Sequence, residues 1–418
     1  MKKSSVFTAA IIGNILEYYD FTVYIVFSSV IGRTFFSAKS EFIQILSSLI
    51  VFAVGFITRP IGGLFFGYIG DRYGRRQSLI ISMLGMTIPT FTIGLIPSYN
   101  DIGIYAPIIL LAMRLIQGLC ISGEGAGTAI FILEHHHKMS PGFTAGFVHG
   151  SNIAGTLIAA FIGIIIEQYF HEIHFMWRFA FLLGGFMGIV GFYLRLKVSE
   201  TPIFQEMLRS KKMCRYPFLH VAKTAWRSML VTCCIGAVAS SALYLVKTYV
   251  YVFYNNVMHL DPTTSLIYLM YTSFVSMLFM PIFGGFADLI GKFRMMNIAI
   301  FIVFALILPI FYLMSLQTMW QQVIGLTLLG IVSGGVSGTA YIFIISIFKP
   351  QERFSGVAFS YNLGITIFGP TSAIMSRWLV EKTQLFYSPG IYIMSIDLVV
   401  LIIIFFMRNK IKQSIYNF

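Results

Sequence analysis

The sequence RPIGGLFFGYIGDRYGRRQ, residues 59–77, closes one long apolar segment and opens another. The short turn between the two segments holds one carboxylate, one glycine and three arginines: Asp71, Arg72, Gly74, Arg75 and Arg76. Glycine permits a tight turn with a positive φ angle. Lysine and arginine in a short loop resist transfer across a membrane, so such a turn stays on the cytoplasmic side. The stretch therefore predicts two adjacent membrane helices joined by a cytoplasmic turn.

A weaker copy of this turn, GGFADLIGKFR at residues 284–294, lies in the second half of the chain. Its Asp288, Gly291 and Lys292 keep the spacing of the first turn, 217 residues downstream (288 − 71). A repeat at half the chain length is typical of membrane proteins built from two homologous halves. We therefore expect two related bundles of helices.

The composition points to the same class of protein. The 418 residues are 57% hydrophobic and only 11% charged, which excludes an ordinary soluble protein. The net charge of +13 sits in short gaps between apolar runs, which favours a membrane protein over a nucleic-acid-binding one. The four cysteines fall in or beside apolar runs and indicate neither a disulfide framework nor a metal site. No metal or other cofactor is expected.

Apolar runs long enough to cross a bilayer, about 20 residues each, predict twelve membrane helices. Their expected limits are 7–31, 43–69, 77–97, 102–133, 143–167, 177–196, 229–257, 264–287, 295–315, 320–348, 354–380 and 389–407. Most lysines and arginines lie in alternate gaps, on the side of the two termini. The opposite gaps hold only Arg33, Lys39, Arg178 and Lys382. Both termini are therefore expected in the cytoplasm.

The longest hydrophilic segment divides the predicted helices into six and six. We expect an N-terminal bundle at 1–197, a solvated cytoplasmic linker at 198–227 and a C-terminal bundle at 228–418. The predicted fold is all-α: two pseudo-symmetric six-helix bundles around a site at the membrane midplane.

The turn at Asp71 resembles the signature loop between helices 2 and 3 of the major facilitator superfamily. Further stretches resemble its metabolite:proton symporter family, which includes proline/betaine, dicarboxylate and shikimate carriers. These stretches are NILEYYDF at 14–21, RP at 59–60, RLIQG at 114–118, GEG at 123–125, GF at 142–143, ETPIF at 200–204, RFSG at 353–356 and YN at 361–362. The resemblance covers nearly the whole chain and implies proton-coupled transport of a small metabolite by a monomer in a bacterial-type inner membrane.

Two features depart from that family. Osmosensing proline/betaine members carry a long C-terminal coiled coil, and this sequence ends before one, so the resemblance leaves osmotic regulation undecided. The loop after the fourth helix reads His135-His136-His137 where the family is basic. We interpret the three histidines as a loop feature rather than a metal site.

The first predicted helix carries a stripe of polar residues. Asn14, Glu17, Asp20 and Tyr24 fall at i, i+3, i+6 and i+10, close to one face. A charge at the bilayer centre costs at least about 2.5–3.5 kcal/mol, so the stripe is expected to face the bundle interior or a water-filled cavity. It serves either in transport or as a buried hydrogen-bonded cluster between helices. For the transport reading, Glu17 and Asp20 are candidate proton carriers.

The fourth predicted helix repeats this pattern with Arg114, Gln117 and Glu124. Arg114 and Glu124 lie about 15 Å apart along the helix, too far to pair with each other. Each needs a partner on another helix or on a ligand, and we expect Arg114 to pair with Glu17 or Asp20. Glu124 is the third candidate proton carrier.

The seventh predicted helix places Ser240, Tyr244, Lys247, Tyr251 and Tyr254 on one face. Lys247 either meets a substrate carboxylate in the central cavity or extends its ammonium to the outer surface. An acid in the middle of the twelfth helix, Asp397, has no partner that the sequence identifies.

The sequence thus predicts a secondary transporter that moves a carboxylate-bearing zwitterion, such as proline or betaine, together with a proton. The expected substrate contacts are Tyr24, Arg114, Gln117, Asn152, Lys247, Tyr251 and Asn362. Asp71, Arg72, Gly74, Arg75, Arg76, Asp288, Gly291 and Lys292 are expected to form the cytoplasmic gate.

Three alternatives remain open at this point. The first is symport of an organic anion, such as a dicarboxylate, tricarboxylate or shikimate-like molecule, which Lys247 as a second cation would favour. The second is a membrane enzyme. It is not expected, since the sequence has no His-Glu-x-x-His, Gly-x-Ser-x-Gly or nucleotide-binding loop. A channel is the third, although charged turns in two repeats favour rocking of two halves over a static pore.

Overall fold

The computed structural model describes residues 3–37, 40–135, 140–170, 173, 175–211 and 213–416. This part of the chain forms twelve long helices, α1 to α12, and contains no strand. The helices are Lys3–Val26 continued by Ser28–Phe35 (α1), Glu41–Ile57 continued by Arg59–Arg72 (α2), Arg75–Leu95 (α3), Tyr105–His135 (α4), Pro141–Tyr169 (α5), Met176–Leu196 (α6), Trp226–Val257 (α7), Pro262–Ile290 (α8), Lys292–Ser315 (α9), Met319–Ser346 (α10), Arg353–Thr383 (α11) and Ser388–Gln413 (α12). Lys39, His136 and His137 lie outside the described residues.

Most of these helices can cross a membrane by length and composition. Ten do so within the described residues, and α1 makes eleven when its two parts, bent by 65° to each other, count as one span. The remaining helix, α11, has 31 residues and packs between α2 and α7. Its first half carries polar residues, among them Ser355, Ser360 and Asn362, that are buried in the protein. The predicted all-α fold of twelve helices is confirmed.

The two signature turns have the same backbone geometry. Gly74 between α2 and α3 has a φ of 124°, and Gly291 between α8 and α9 has a φ of 101°. L-amino acids with a Cβ rarely adopt this region, so the glycines are required for the turns. We call the end of the molecule that carries both turns the basic end. The first residues of α1 lie there, since Phe7 stacks on Phe147 near the start of α5. The last described residues also lie there, because Lys292 Nζ donates to the Tyr416 carbonyl (3.3 Å).

The predicted face of α7 is corrected by the structure. Residues Leu245–Tyr249 and Phe253–Val257 are π-helical, so side chains after Tyr244 rotate away from an ideal α-helical register. Tyr254 consequently turns into the C-terminal half, where its hydroxyl donates to the Met314 carbonyl (3.1 Å). Tyr254 therefore does not share a face with Tyr244 and Lys247.

The two halves meet closely at the basic end, where α5 packs on α8 and α2 packs on α11. Glycines make the approach possible. A Cβ added at Gly142 would lie 2.1 Å from the Gly284 carbonyl oxygen, and one at Gly146 would lie 2.3 Å from the Met280 carbonyl oxygen. Helix backbones are thus in direct contact across the interface between the halves.

The segment after α6 is only partly exposed. It forms two short helices, Pro202–Arg209 and Pro217–Thr224, and the second packs on α2, α7 and α11. Thr201 caps the first of them by accepting from the Phe204 amide (3.2 Å), and both residues are buried. Part of the predicted linker, 198–227, therefore lies against the basic end.

Candidate functional site

The polar stripe of α1 faces the interior of the N-terminal half. Asn14, Glu17, Asp20 and Tyr24 all have less than 5% of their surface exposed. Asn14 Nδ2 donates to the Val148 carbonyl (2.8 Å) and to Ser151 Oγ (2.7 Å) on α5, and also contacts Asn152 Oδ1.

Asp20 and Arg114 are joined through an amide rather than by direct contact. Gln117 Nε2 donates to Asp20 Oδ2 (2.6 Å), and Gln117 Oε1 accepts from Arg114 Nη1 (2.8 Å). The Arg114 guanidinium lies 4.1 Å from the centre of the Tyr24 ring. The expected ion pair of Arg114 with Glu17 or Asp20 is absent from the described contacts, because the short Gln117 bridge and the ring already accommodate the cation.

Glu124 has a partner that sequence reasoning missed. Arg195 is buried at the end of α6, and its Nη1 pairs with Glu124 Oε1. Ser82 Oγ donates to the same oxygen. The guanidinium lies against α1 at Gly13, where an added Cβ would be 2.1 Å from Arg195 Nη2, so a larger residue there would displace it. The arginine in the last turn of an apolar helix was the available signal.

One small cavity joins the three predicted proton carriers. Glu17, Asp20 and Glu124 line it, together with Thr87 and Thr90 of α3 and glycines of α1 and α6. The cavity has room for about one water molecule. One carboxylate oxygen of each acid, Glu17 Oε2, Asp20 Oδ1 and Glu124 Oε2, is buried without a hydrogen-bond partner. A water or a proton in this cavity would meet three unpartnered acceptors.

Glu17 also borders the space between the two halves. The charges of Arg59 and Lys247, as well as those of Glu124 and Arg195, act on its carboxyl group. The Arg59 guanidinium lies against Phe56 (4.3 Å) and Phe21 (5.0 Å) beside this space.

Lys247 reaches the same space from the C-terminal half. Its Nζ lies 4.4 Å from the centre of the Tyr18 ring on α1, so the ammonium points to the molecular centre and not to the outer surface. Tyr244, one turn earlier, has its ring 5.8 Å from that of Phe56. Tyr18, Tyr244 and Lys247 are partly exposed. We call the space lined by Glu17, Tyr18, Arg59, Tyr244 and Lys247 the central cleft.

A stacked pair of aromatic rings joins the two halves beside the central cleft. The rings of His149 on α5 and Tyr341 on α10 are nearly parallel with centroids 4.1 Å apart. His149 Nδ1 bonds the Ser337 carbonyl (2.6 Å), which ties the two halves together. A Cβ added at Gly125 would lie 2.6 Å from the Tyr341 hydroxyl and 4.0 Å from the Tyr18 hydroxyl, so both hydroxyls gather at α4.

The remaining predicted substrate contacts lie at different distances from the cleft. Asn362 Nδ2 donates to the Ala358 carbonyl (2.7 Å) and across the interface to the Ser122 carbonyl (3.3 Å). The Tyr24 hydroxyl donates to the Ser48 carbonyl (3.1 Å), and Tyr251 packs against the C-terminal core. The structure thus brings Lys247 to the cleft, and it groups Tyr24, Arg114 and Gln117 beside Asp20. The cleft residues that the sequence analysis did not predict are Tyr18 and Arg59.

At the basic end, an acid of each half caps a helix of the other. Asp71 accepts from the amides of Phe354 (3.2 Å) and Ser355 (2.8 Å) at the start of α11. Asp288 accepts from the amide of Gly142 (2.8 Å) at the start of α5. A helix N-terminus carries partial positive charge, so both contacts are favourable.

Arginines extend the first of these contacts. Arg75 lies 3.4 Å from Asp71 and 3.2 Å from Glu134, and Arg353 of the other half lies 3.2 Å from Glu134. Of the other predicted gate residues, the Arg76 amide donates to Glu200 Oε2 (3.0 Å) in the segment after α6, and Lys292 Nζ donates to the Tyr416 carbonyl. Arg72 is partly exposed on this surface. Burial raises the pKa of the Glu200 carboxyl, and its hydrogen bond from the Arg76 amide partly offsets this rise in pKa.

The family follows from a comparison with known proteins. A family model described as Major Facilitator Superfamily matches residues 10–370. The chain belongs to the major facilitator superfamily. It is a multi-pass membrane protein, and the resemblance of its signature turn is confirmed. Among the described residues, no group of three metal-ligating side chains could hold a metal ion.

Two curated relatives cover most of the chain. The glycine betaine/proline/ectoine/pipecolic acid transporter OusA of Dickeya dadantii is 32% identical over 423 residues, covering 98% of this chain and 84% of that protein. The proline/betaine transporter of Escherichia coli K12 is 32% identical over 410 residues, covering 94% of this chain and 81% of that protein. A solved structure, the proton:xylose symporter XylE bound to 6-bromo-6-deoxy-D-glucose, has a TM-score of 0.71 at 16% identity. It covers 98% of this chain and 96% of XylE, and it shows a shared fold.

Proposed function

We propose that this protein is a proton-coupled symporter of a small zwitterionic carboxylate, of the proline and betaine class, that works by alternating access. The observation that carries the proposal is the central cleft, where Lys247 of one half lies over Tyr18 of the other, next in sequence to the buried acid Glu17. Arg59 is close enough to act electrostatically on the same acid. The names of the relatives from Dickeya dadantii and Escherichia coli support the substrate class.

The cleft suits both ends of a zwitterion. The substrate carboxylate meets Arg59 and Lys247, which offer charge-assisted hydrogen bonds. The substrate ammonium lies over the aromatic face of Tyr244, where a ring quadrupole attracts a cation. This assignment gives Arg59 the carboxylate contact that the sequence analysis had given to Arg114, because Arg114 is held between Tyr24 and Gln117.

Coupling follows from competition for the same two cations. When ionised, Glu17 offers its own carboxylate to Arg59 and Lys247 and disfavours a second carboxylate beside them. When protonated, it leaves both cations to the substrate. Proton and substrate therefore favour each other's binding by the same factor, as linkage requires. Asp20 and Glu124 share the adjoining cavity with Glu17 and are the candidates for passing the proton on.

The basic end acts as the gate in this mechanism. The contacts of Asp71 with α11 and of Asp288 with α5 hold the halves together there while the cleft is open on the other side. Their separation lets the halves rock and opens the cleft toward the basic end.

We infer the orientation from charge. The basic end and both termini lie in the cytoplasm, because lysine and arginine cluster at this end. The membrane is a bacterial-type inner membrane, the chain works as a monomer and has no enzymatic activity, and residues 1–197, 198–227 and 228–418 serve as the two bundles and their linker.

Proteoliposomes test the proposal. Labelled proline, betaine, 2-oxoglutarate, citrate and shikimate are offered one at a time under an inward pH gradient. We expect accumulation of proline or betaine that collapses when an ionophore removes the gradient. Two cations in the cleft are the observation that favours the organic-anion alternative, and accumulation of the anions alone would establish it. No gradient-dependent accumulation of any of the five would contradict proton symport of this substrate class.

A further inference from the structure

A groove opens on the outer face of the C-terminal half, between α9 and α12 and next to the basic end. Its volume is about 750 Å³, and its walls are apolar, with Phe293 of α9 facing Leu401, Ile402, Phe405 and Phe406 of α12. Phe405 and Phe406 expose 59% and 81% of their surface. Side chains this apolar on an outer face of a membrane helix meet lipid chains.

Two cations stand at the end of this groove. Arg408 and Lys412 are four residues apart, hence on one side of α12, and both line it. Arg408 lies over the Phe405 ring (4.8 Å) and Lys412 over the Phe293 ring (5.5 Å). No carboxylate of the described residues forms an ion pair with either cation, and the sequence has no acid after Asp397.

We propose that this groove binds one anionic phospholipid. An acyl chain lies along Ile402 and Phe405, and the headgroup phosphate lies between Arg408 and Lys412. The guanidinium fork and the ammonium both suit a phosphate, and basic pockets between helices near the cytoplasmic surface bind anionic headgroups.

The charges select this occupant over two others. A zwitterionic lipid brings its own cation to a place that already holds two. A second copy of the chain would bring its own Arg408 and Lys412 and repel the first. The groove lies on the outer face of one half and does not touch the central cleft, so the proposal is independent of the transported substrate.

Native mass spectrometry of the purified full-length chain tests it, with dioleoyl-phosphatidylglycerol and dioleoyl-phosphatidylcholine titrated separately. We expect one phosphatidylglycerol to bind more tightly than phosphatidylcholine. The variant Arg408→Gln/Lys412→Gln should weaken phosphatidylglycerol binding by about 25-fold, at about fivefold per cation. The control Lys223→Gln/Arg227→Gln removes the same charge from exposed positions of the basic end and should retain the binding.

Three results would overturn the proposal. Equal losses in the two double variants would mean a general attraction to basic surface. Equal affinity of the wild type for the two lipids would mean an apolar groove without headgroup recognition. The third result is a dimer of the wild type that is lost in the Arg408→Gln/Lys412→Gln variant while phosphatidylglycerol binding is unchanged, which would assign the groove to a second copy.

A further variant, Ile402→Trp, fills the groove without changing charge and should weaken phosphatidylglycerol binding in the same assay.

Discussion

Lys247 is the cation of the C-terminal half that reaches the central cleft. Its ammonium is held over Tyr18, and a substrate carboxylate is the natural partner for it in the central cleft. A charge-assisted hydrogen bond of about 1.5–3 kcal/mol corresponds to roughly 10- to 150-fold in affinity. We expect Lys247→Met to raise the KM for proline or betaine by at least about tenfold, measured as initial uptake at matched protein levels.

The control for this variant is Lys382→Met, which removes an exposed lysine at the far end of α11. It should leave the KM unchanged. An unchanged KM in Lys247→Met as well would remove Lys247 from the substrate site and leave Arg59 as the carboxylate contact.

At this scale, sequence spacing identified the acids but not all of their partners. Glu17, Asp20 and Glu124 stood out because a charge inside a membrane helix is costly wherever it faces lipid. The partners Arg59 and Arg195 were not predicted: Arg59 lies where the two parts of α2 join, and Arg195 lies in the last turn of α6. Which way a side chain at a helix end turns depends on the packing of neighbouring helices, such as the space left by Gly13. Their roles in transport stay predictions.

At the scale of helices, two adjacent glycines of α8 give a matched pair of variants. A Cβ at Gly284 would lie 2.2 Å from the Gly142 carbonyl of α5, whereas one at Gly285 would meet nothing closer than 3.8 Å. Both changes to alanine raise helix propensity by up to about 1 kcal/mol. We expect Gly284→Ala to slow transport by at least about tenfold. The added methyl group overpacks the contact between α8 and α5, which destabilises the state that is closed at the basic end by about 1–3 kcal/mol.

Gly285→Ala should keep the wild-type rate. The readout is initial uptake, together with the amount of protein in the membrane. Equal rates for the two variants would show that α5 and α8 need not approach this closely during the cycle.

The helix-capping acids supply a second prediction for the elements. Asp71 is fully buried, accepts two amides of α11 and contacts Arg75, whereas Asp288 is half-buried. We expect Asp71→Asn to lower the uptake rate at least about tenfold, since a charge at a helix N-terminus contributes up to about 2 kcal/mol. Asp288→Asn should be milder.

Folding and insertion are checked for both variants by detergent-extracted yield and gel filtration. Normal uptake by Asp71→Asn at normal yield would contradict its assignment to the gate.

The sequence predicted these turns well, because glycine and charge patterns in a short loop have few structural solutions. It could not predict the π-helical parts of α7, because a bulge shifts the register without a composition signal.

For the whole molecule, the repeat of the Asp71 turn at Asp288 predicted two halves of six helices. That inference held because each half must bury its own polar groups and pack its own helices. The contacts between the halves were less accessible to sequence reasoning. The stacking of His149 on Tyr341 and the cleft around Glu17 join residues far apart in the chain, and their distances depend on how the bundles tilt.

The central claim is that proton and substrate move together through Glu17, and lumenal pH measures it most directly. Proteoliposomes loaded with a pH-sensitive dye receive proline or betaine outside, with no starting pH gradient. For the wild type we predict acidification of the lumen that follows substrate uptake. For Glu17→Gln we predict no acidification and no accumulation, with exchange of labelled for unlabelled substrate retained. Substrate entry without proton entry in the wild type, or unchanged acidification in Glu17→Gln, would contradict the claim.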